Sequence, residues 1–480
     1  MSSFWKKYRC EEDTVTRWTW LAYGYAALVV CALGYGLLGM PVQVSDSLNN
    51  IVQASQGSLS HLVYNQFYQH GYLRPFLWGL IRAVFDLSNG HYFEWFRGWH
   101  VGQVAVLAGF FVALLRVRRA IDAAVVPLGL AALVGIHTFS GTIREAFPIN
   151  TFMTILLCCY AAAWLALGSP RWWRDVAAAL LLVFAALTVE TGLLVAVVFV
   201  AAWLAGAPGV SRAGMAAQVA LVAGYFVLRF AVLDVGTPGL AERASGFGFG
   251  VIDRDELAVR FGGNPLPFYA YNVGASLLSL FASEPRGGVF QITRRVLAGE
   301  ASPINIVSVA ASVLGTALIL AFVWTRRAEW RARRFTADDQ LVAIFLAVAA
   351  ANAVLCYAYT KDVILSPAGA FYALALAVAA RHYLERASRT TLRAAAAGVM
   401  LVLLSTGWAF RAVAAQLDLR HAAEVVRRDW AYVDRWLQEQ NVVPTTDQGR
   451  AIVTHLQEDA IWNHPMRPKL AGDWLEWFEE

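Results

Sequence analysis

The chain has 480 residues, of which 58% are hydrophobic and only 15% are charged, and its formal net charge is +5. A soluble protein of this length does not need so much apolar surface, so the composition indicates a protein whose solvent is a lipid bilayer. The positive charge comes from arginines in short loops rather than from a basic domain, which argues against nucleic acid as a partner.

Eleven stretches are long and apolar enough to cross a membrane, since a spanning helix needs ~20 mostly apolar residues. In chain order they are approximately 20–40, 99–115, 121–139, 149–167, 175–189, 191–206, 213–233, 303–325, 339–359, 366–381 and 392–411. The fifth and sixth could instead form one long buried hairpin. We therefore expect an all-α polytopic membrane protein with about eleven transmembrane helices.

Basic residues collect in every second loop. "WKKYR" precedes the first span, and "RVRRA", "SPRWWRD", "GVSRAG", "TRRAEWRARR" and "RHYLERASRTTLR" follow at alternating connections. Arginine and lysine favour the cytoplasmic side of a membrane protein. The pattern therefore predicts an N-terminus inside and a C-terminus outside the cytoplasm.

The predicted outer side carries two long loops, 41–98 and 234–302, and a C-terminal tail. We divide the chain into a transmembrane module, 1–412, and a small helical tail, 413–480. The tail begins with an amphipathic helix whose apolar positions are Val425, Val426, Trp430, Val433 and Leu437. Too few residues remain for an independent core, so the tail is expected to pack on the outer loops.

The first loop has the pattern of helices lying along a membrane surface. Leu48, Ile51 and Val52 recur at helical spacing in a stretch of low overall hydrophobicity. That combination is the signature of an interfacial helix.

Asp46 stands at the head of this stretch, directly after the first span. One interpretation is structural: Ser45 or Asp46 is the N-cap of the first interfacial helix. The other is functional: a carboxylate at the bilayer surface can take a proton from an acceptor hydroxyl while a lipid-borne group departs. One residue can do both.

Arg74 is an arginine on the outer side, where the charge bias disfavours it, and Pro75 fixes a helix start beside it. Its long side chain could simply follow the interface with the guanidinium in water. Alternatively, the guanidinium binds a lipid phosphate with two parallel hydrogen bonds.

Three more outer segments carry ionisable groups close to membrane depth. Arg144 and Glu145 lie in a short loop and could pair with each other. Glu190 stands between two apolar runs, where an acid is costly unless it is paired or faces water, so it is a functional candidate. Lys361 and Asp362 repeat this pattern in a later loop.

The second long loop contributes Arg286, which could add positive charge near an anionic headgroup. Its glycines fit neither a dinucleotide-binding nor a phosphate-loop pattern. The histidines of the first loop form no cluster with cysteines or acids, so no metal site is predicted. A divalent cation held by Asp46 and Glu145 is left open as a cofactor.

Together these features resemble the GT-C membrane glycosyltransferases. The resemblance rests on the acid after the first span, the helices of the first outer loop, "YLRPF" before the second span and "TVETGLL", which is similar to a "KE" segment with Val189 in place of lysine. It implies transfer of a sugar from a polyprenyl-phosphate donor to a lipid, glycan or protein acceptor. Asp46 would be the catalytic acid of the first loop, with Arg74 and Lys361 holding the carrier phosphate.

Two other classes remain as alternatives. An O-antigen ligase or polymerase-like enzyme shares the substrate class but does not depend on an acid after the first span. A lipid or solute transporter would need charges or broken helices near the middle of the bilayer and usually carries internal repeats. We expect a GT-C-type glycosyltransferase of the bacterial inner membrane, with membrane lipids around it and a periplasmic active site.

Overall fold

The computed structural model describes residues 16–70, 72–144, 151–233, 246–247, 259, 264, 266–282, 295, 297–357, 359–360, 362–388, 390–463 and 470–478. This part of the chain is almost entirely helical. Seven of its helices are long and apolar enough to cross a membrane, which makes the chain a helical membrane protein. A two-residue parallel pairing of β1 (Gly246–Phe247) with β2 (Tyr359–Thr360) is the exception.

The described residues of the first half of the chain form twelve α-helices. They are α1 (Arg17–Leu37), α2 (Asp46–Gln56), α3 (Leu59–His70), α4 (Pro75–Ser88), α5 (Tyr92–Leu115), α6 (Ala120–Ala124), α7 (Val126–Gly135), α8 (His137–Arg144), α9 (Thr151–Ala166), α10 (Trp172–Ala186), α11 (Leu194–Leu204) and α12 (Arg212–Phe226). A 3-10 turn, Glu190–Leu193, precedes α11, and a π-helical segment, Val227–Val232, extends α12.

In the second half, seven more helices have bounds that lie within the described residues. They are α13 (Leu266–Ala282), α14 (Pro303–Arg331), α15 (Ala337–Leu355), α16 (Ser366–Ala387), α17 (Thr391–Trp430), α18 (Val433–Glu439) and α19 (Asp447–Glu458). Short 3-10 or π segments lie at Asp362–Leu365, Asp459–Asn463 and Asp473–Phe478. Ten of the eleven predicted spans each overlap one main helix of the structure, whereas 121–139 covers α7 and parts of α6 and α8. Several of these helices are short for a bilayer.

α16 is the central helix of the bundle. Every residue from Ser366 to Arg381 is buried. Most of these side chains are alanine or other small or aliphatic groups, which let neighbouring helices approach closely on all sides. α16 therefore has no lipid-facing surface over this stretch, and the other helices are arranged around it.

The basic loops meet at one end of the bundle, which we call the basic end. Arg119 pairs with Asp122 at 2.9 Å and also with Glu385, which joins two loops far apart in sequence. Arg381 reaches both Asp122, at 3.7 Å, and Asp338. The alternation of basic loops in the sequence therefore corresponds to a real clustering of these loops in space.

The opposite end, which we call the Asp46 end, carries the first loop. There the start of α16 meets α8, because the Ser366 hydroxyl donates to the Thr138 carbonyl at 2.7 Å. The start of α4 meets the turn after α10, because Phe76 N–H donates to the Leu187 carbonyl at 3.3 Å. These contacts bring the predicted outer loops of the chain to a common surface.

The second predicted outer loop, 234–302, contains a helix that the sequence analysis did not predict, α13. Asn272 on α13 is buried and donates to the Tyr357 carbonyl at 2.9 Å, near the Asp46 end. Nearer the other end of α13, the Phe281 carbonyl accepts from the Thr316 hydroxyl at 2.8 Å. Thr316 lies 13 residues into α14, about 20 Å along that helix. α13 therefore enters the bundle from the Asp46 end and stops partway through it.

The C-terminal tail shares a hydrophobic core with the first loop, as predicted. We call this part, residues 42–96 together with 426–460, the loop–tail unit. Leu48, Ile51 and Val52 are buried in it, so the expectation that this face of α2 lies on a membrane surface is wrong. The apolar face of α2 packs on α4 and α19 instead. The predicted division at 412/413 falls inside α17.

One buried carboxylate at the basic end yields a stability prediction. Asp339 is fully buried and accepts from Arg326 at 2.8 and 2.9 Å, from Trp330 and from Thr336. Asp339→Ala leaves the Arg326 guanidinium without its carboxylate, and we expect the free energy of unfolding to fall by about 3–5 kcal/mol. The melting temperature of the purified protein in detergent measures this.

The matched control is Glu439→Ala, which removes an exposed ion pair with Arg435. A surface pair of this kind is worth about 0–1 kcal/mol. Equal melting temperatures for the two variants would contradict the assigned role of Asp339.

Candidate functional site

Arg74 is fixed by the start of α4. It is the N-cap residue of this helix, and Pro75 occupies the first helical position, where its missing N–H costs nothing. The Phe76 ring packs on Phe184 of α10, with 5.4 Å between the centroids. The beginning of α4 is therefore docked on the end of α10, and Arg74 is directed at the turn that follows.

Glu190 lies in that turn, between α10 and α11. The turn is tight: a Cβ added to Gly192 would lie 2.0 Å from the Ala185 carbonyl oxygen. Only glycine fits at this distance from the backbone. Gly192 thereby lets the 3-10 turn close against α10 and fixes the position of Glu190.

The structure brings Arg74 and Glu190 together and adds a second arginine. Arg74 Nη2 lies 2.5 Å from Glu190 Oε2, and Arg229 Nη1 lies 3.1 Å from Glu190 Oε1. The Arg229 guanidinium also donates to the Tyr225 hydroxyl at 3.1 Å. The Arg74 guanidinium stacks on the Tyr72 ring at 3.9 Å. We call these five side chains the arginine cluster.

Sequence reasoning missed Arg229. It lies in "YFVLRFAVL", inside a predicted span, and was counted as part of that span. The rule that singled out Glu190, an ionisable group among apolar residues, applies equally to Arg229 and could have found it. In the structure Arg229 is buried and belongs to the π-helical segment, a backbone form that is frequent at functional sites.

The arginine cluster carries a net charge of about +1, because two guanidinium groups face one carboxylate. Burial acts to raise the pKa of the Glu190 carboxyl, but the charges and hydrogen bonds of Arg74 and Arg229 outweigh it, so the pKa lies below its ordinary value. Glu190 is therefore ionised at neutral pH. Arg74 Nε and Thr191 Oγ1 are buried with no hydrogen-bond partner among the described residues.

An apolar surface adjoins the cluster. Phe226 and Phe230 are 43% and 40% exposed and stack on each other at 5.9 Å. The Arg229 guanidinium lies 5.9 Å from the Phe230 ring. A cationic site thus borders exposed aromatic rings, which suits a ligand with an anionic head and an apolar tail.

Asp46 is the first residue of α2, and its side chain is exposed. The N-cap is Ser45, whose side chain makes no capping hydrogen bond. Within the part of the chain that the structure describes, the Asp46 carboxylate makes no hydrogen bond or ion pair. Asp46 is therefore open to solvent at a helix N-terminus, and no contact joins it to the arginine cluster.

The remaining candidates are described only in part. Arg144 is the last residue of α8, and only its backbone is described. Asp362 is half-buried at the start of a 3-10 helix. Glu145, Arg286 and Lys361 lie outside the described residues. Among the residues that are described, no three His, Cys, Asp or Glu side chains are arranged to hold a metal ion.

Comparisons with known proteins add no relative. A scan of protein-family models and searches of curated proteins and of solved structures find no match to this chain.

The tight turn beside Glu190 yields a second prediction. Gly192→Ala places a methyl group against the Ala185 carbonyl, and overpacking of this kind costs about 1–3 kcal/mol. We expect a lower melting temperature, measured in detergent as for Asp339→Ala.

Gly224→Ala on α12 is the control, because a Cβ there meets nothing within 4 Å. Alanine is also the better helix former, by roughly 1 kcal/mol, so this variant should melt no lower than the wild type. If Gly192→Ala melts at the wild-type temperature as well, the turn does not require glycine.

Proposed function

We propose that this chain is a GT-C-type membrane glycosyltransferase. It transfers a sugar from a polyprenyl-phosphate donor to a lipid, glycan or protein acceptor, and Asp46 is the general base. The observation that carries the proposal is the arginine cluster at the Asp46 end, beside exposed aromatic rings. The sequence resemblance supports the same reaction class through Asp46, Arg74 and Glu190.

The arginine cluster suits the phosphate of the donor. The guanidinium groups of Arg74 and Arg229 both contact the Glu190 carboxylate, which holds them side by side. One positive charge of the two remains uncompensated. The phosphate adds acceptor oxygens for the spare N–H of Arg74, while the polyprenyl chain lies along the exposed rings of Phe226 and Phe230. Glu190 acts as a resident counter-ion that holds the two guanidinium groups in place.

The transfer step needs a base and a stabilised leaving group. The Asp46 carboxylate accepts the proton of the acceptor hydroxyl while that oxygen forms a bond to the anomeric carbon. The bond between the anomeric carbon and the phosphate oxygen breaks, and the electron pair leaves with the polyprenyl phosphate. The guanidinium groups of the arginine cluster stabilise the negative charge that develops there.

The proposed topology has eleven spans, a cytoplasmic N-terminus and a periplasmic C-terminus in a bacterial inner membrane. The clustering of the basic loops at one end supports this orientation, because such loops favour the cytoplasm. The Asp46 end then faces the periplasm. α13 enters the bundle from that side and stops partway through it, so the proposed number of crossings does not include it.

Asp46→Asn tests the catalytic role. The amide cannot accept the acceptor proton, so we expect the rate to fall by a factor of roughly 10²–10⁴. The donor, a polyprenyl-phosphate sugar, should then accumulate in cells that carry the variant. Lipid mass spectrometry on cells with equal amounts of wild-type and variant protein detects it and identifies the sugar.

Asp86→Asn is the matched control. Asp86 is an exposed aspartate of α4 in the loop–tail unit, paired only locally with Arg82. Its lipid profile should equal that of the wild type. A wild-type profile for Asp46→Asn as well would leave a ligase-like enzyme or a transporter as the better interpretation of the chain.

The donor identified in this way allows the arginine cluster to be tested directly. Arg74→Lys and Arg229→Lys keep the charge but cannot form two parallel hydrogen bonds. We expect KM for the donor to rise about 10- to 100-fold, as the loss of a charge-assisted hydrogen bond predicts. Initial rates with purified donor in detergent measure it.

Arg435→Lys in α18 is the control, because Arg435 is an exposed arginine in a surface pair with Glu439. Unchanged KM values for both cluster variants would remove the phosphate-binding role from the arginine cluster.

A further inference from the structure

We propose that the C-terminal tail positions the active site. Trp430 of the tail and Arg97 of α5 are positioning residues that hold the segment leading to Asp46. The inference rests on the proposed role of Asp46 as the base. It gives the tail a task beyond packing against the first loop.

Three consecutive backbone carbonyls before Asp46 are held by side chains from two distant parts of the chain. Arg97 of α5 donates from Nε to the Met40 carbonyl at 2.6 Å and from Nη2 to the Pro41 carbonyl. Trp430, the last residue of α17, donates from Nε1 to the Val42 carbonyl at 2.6 Å. We call these contacts the carbonyl clamp.

The segment cannot hold itself in place. α1 ends at Leu37, and helical hydrogen bonding does not resume until α2. Met40 and Val42 are nevertheless buried, so their carbonyls need donors from outside the segment. Pro41 has no N–H to contribute to a turn. The carbonyl clamp supplies the missing donors.

Arg97 gains from the same arrangement. Its side chain is 1% exposed, and no carboxylate pairs with it among the described residues. A buried charge without a partner is unfavourable. The two carbonyls that Arg97 binds follow the C-terminal end of α1, where the helix dipole favours a cation. The guanidinium and the segment therefore stabilise each other.

Trp430 is itself held firmly by the tail. Its side chain is fully buried, and its carbonyl accepts from Gln457 of α19 at 2.9 Å. Val433 and Leu456 belong to the same core. The position of the Val42 carbonyl is thereby tied to the folded state of the tail.

The clamp acts on Asp46 through the first turn of α2. The Gln43 backbone carbonyl accepts from two N–H groups, that of Ser45 at 3.0 Å and that of Leu48 at 3.3 Å. The Ser45 carbonyl accepts from the Asn49 N–H at 3.1 Å. A displacement of the clamped carbonyls therefore moves the turn that carries Asp46. Misplacement of a catalytic group by about 1 Å can cost roughly 100-fold in rate.

Trp430→Phe tests the inference, because it removes the N–H donor and keeps most of the apolar volume. Hydrogen–deuterium exchange on the full-length protein in detergent should show about five- to tenfold faster exchange in peptides covering 43–49, as the loss of one hydrogen bond predicts. Peptides of α18 and α19 should keep their wild-type protection. Wild-type protection at 43–49 would overturn the inference.

Trp78→Phe is the matched control. Trp78 is also a buried tryptophan of the loop–tail unit, but its indole N–H donates to Gln66 at 3.2 Å and not to the clamped segment. In the Trp78→Phe variant, hydrogen–deuterium exchange should become faster in peptides near α3 and stay unchanged in peptides covering 43–49. Faster exchange at 43–49 in both variants would mean that general loosening of the core explains the result, and would overturn the inference.

Arg97→Lys provides a second route if Trp430→Phe unfolds the tail. A lysine keeps the charge but cannot hold two adjacent carbonyls in the geometry of a guanidinium. Its control is Arg82→Lys, since Arg82 also donates to two carbonyls, those of Ala54 and Gly57, at the other end of α2. Faster exchange at 43–49 only for Arg97→Lys supports the clamp, and unchanged exchange there overturns it.

Steady-state kinetics with the donor then separates positioning from folding. Trp430→Phe should lower kcat about tenfold or more and leave KM for the donor unchanged, because the arginine cluster is untouched. Faster exchange without a fall in kcat would overturn the positioning role. If Asp46→Asn accumulates no donor lipid, the proposed function fails, and the exchange experiment alone decides whether Trp430 holds the segment.

Discussion

Backbone carbonyls that are shielded from water must find hydrogen-bond donors, and this requirement governs the Asp46 end of the bundle. Several helices end there inside the protein, so their last carbonyls cannot rely on solvent. Side chains from other parts of the chain supply the donors: Arg97 to Met40 and Pro41, Trp430 to Val42, Asn272 to Tyr357 and Asn352 to Ile364. These bonds join segments that are far apart in sequence, and they make this end of the protein a single connected structure.

The same end combines two chemically different regions. The arginine cluster is a partly buried, positively charged site next to exposed aromatic rings, whereas Asp46 is an exposed carboxylate at a helix start. The proposed reaction needs both environments, one for a lipid-linked phosphate and one for an acceptor hydroxyl. Among the described residues no ion pair joins Asp46 to the arginines, because Glu190 is the carboxylate that pairs with them. This leaves Asp46 available for its proposed role as the base.

The sequence predicted the helical class and the clustering of basic loops because both follow from hydropathy and charge. It also singled out Arg74 and Glu190, since each is an ionisable group where such groups are costly. It did not reveal that they pair, or that Arg229 joins them, because pairings across 116 and 39 residues leave no local pattern. α13 was missed because its 17 residues are interrupted by asparagine and serines that face the protein interior. The sequence correctly identified which residues form the apolar face of α2. It did not show that this face packs on protein, because the same pattern suits a lipid surface.

α17 is a single helix of 40 residues, which gives it a length of about 60 Å, roughly twice the thickness of a hydrocarbon core. Its second half therefore stands clear of the lipid and ends in the loop–tail unit. An unbroken helix transmits bending and rotation along its whole length. α17 therefore provides no hinge about which the loop–tail unit could rotate away from the membrane. In the proposed reaction, a bulky acceptor would therefore reach Asp46 from the side, between that unit and the membrane surface, and the width of this space would set the largest acceptor.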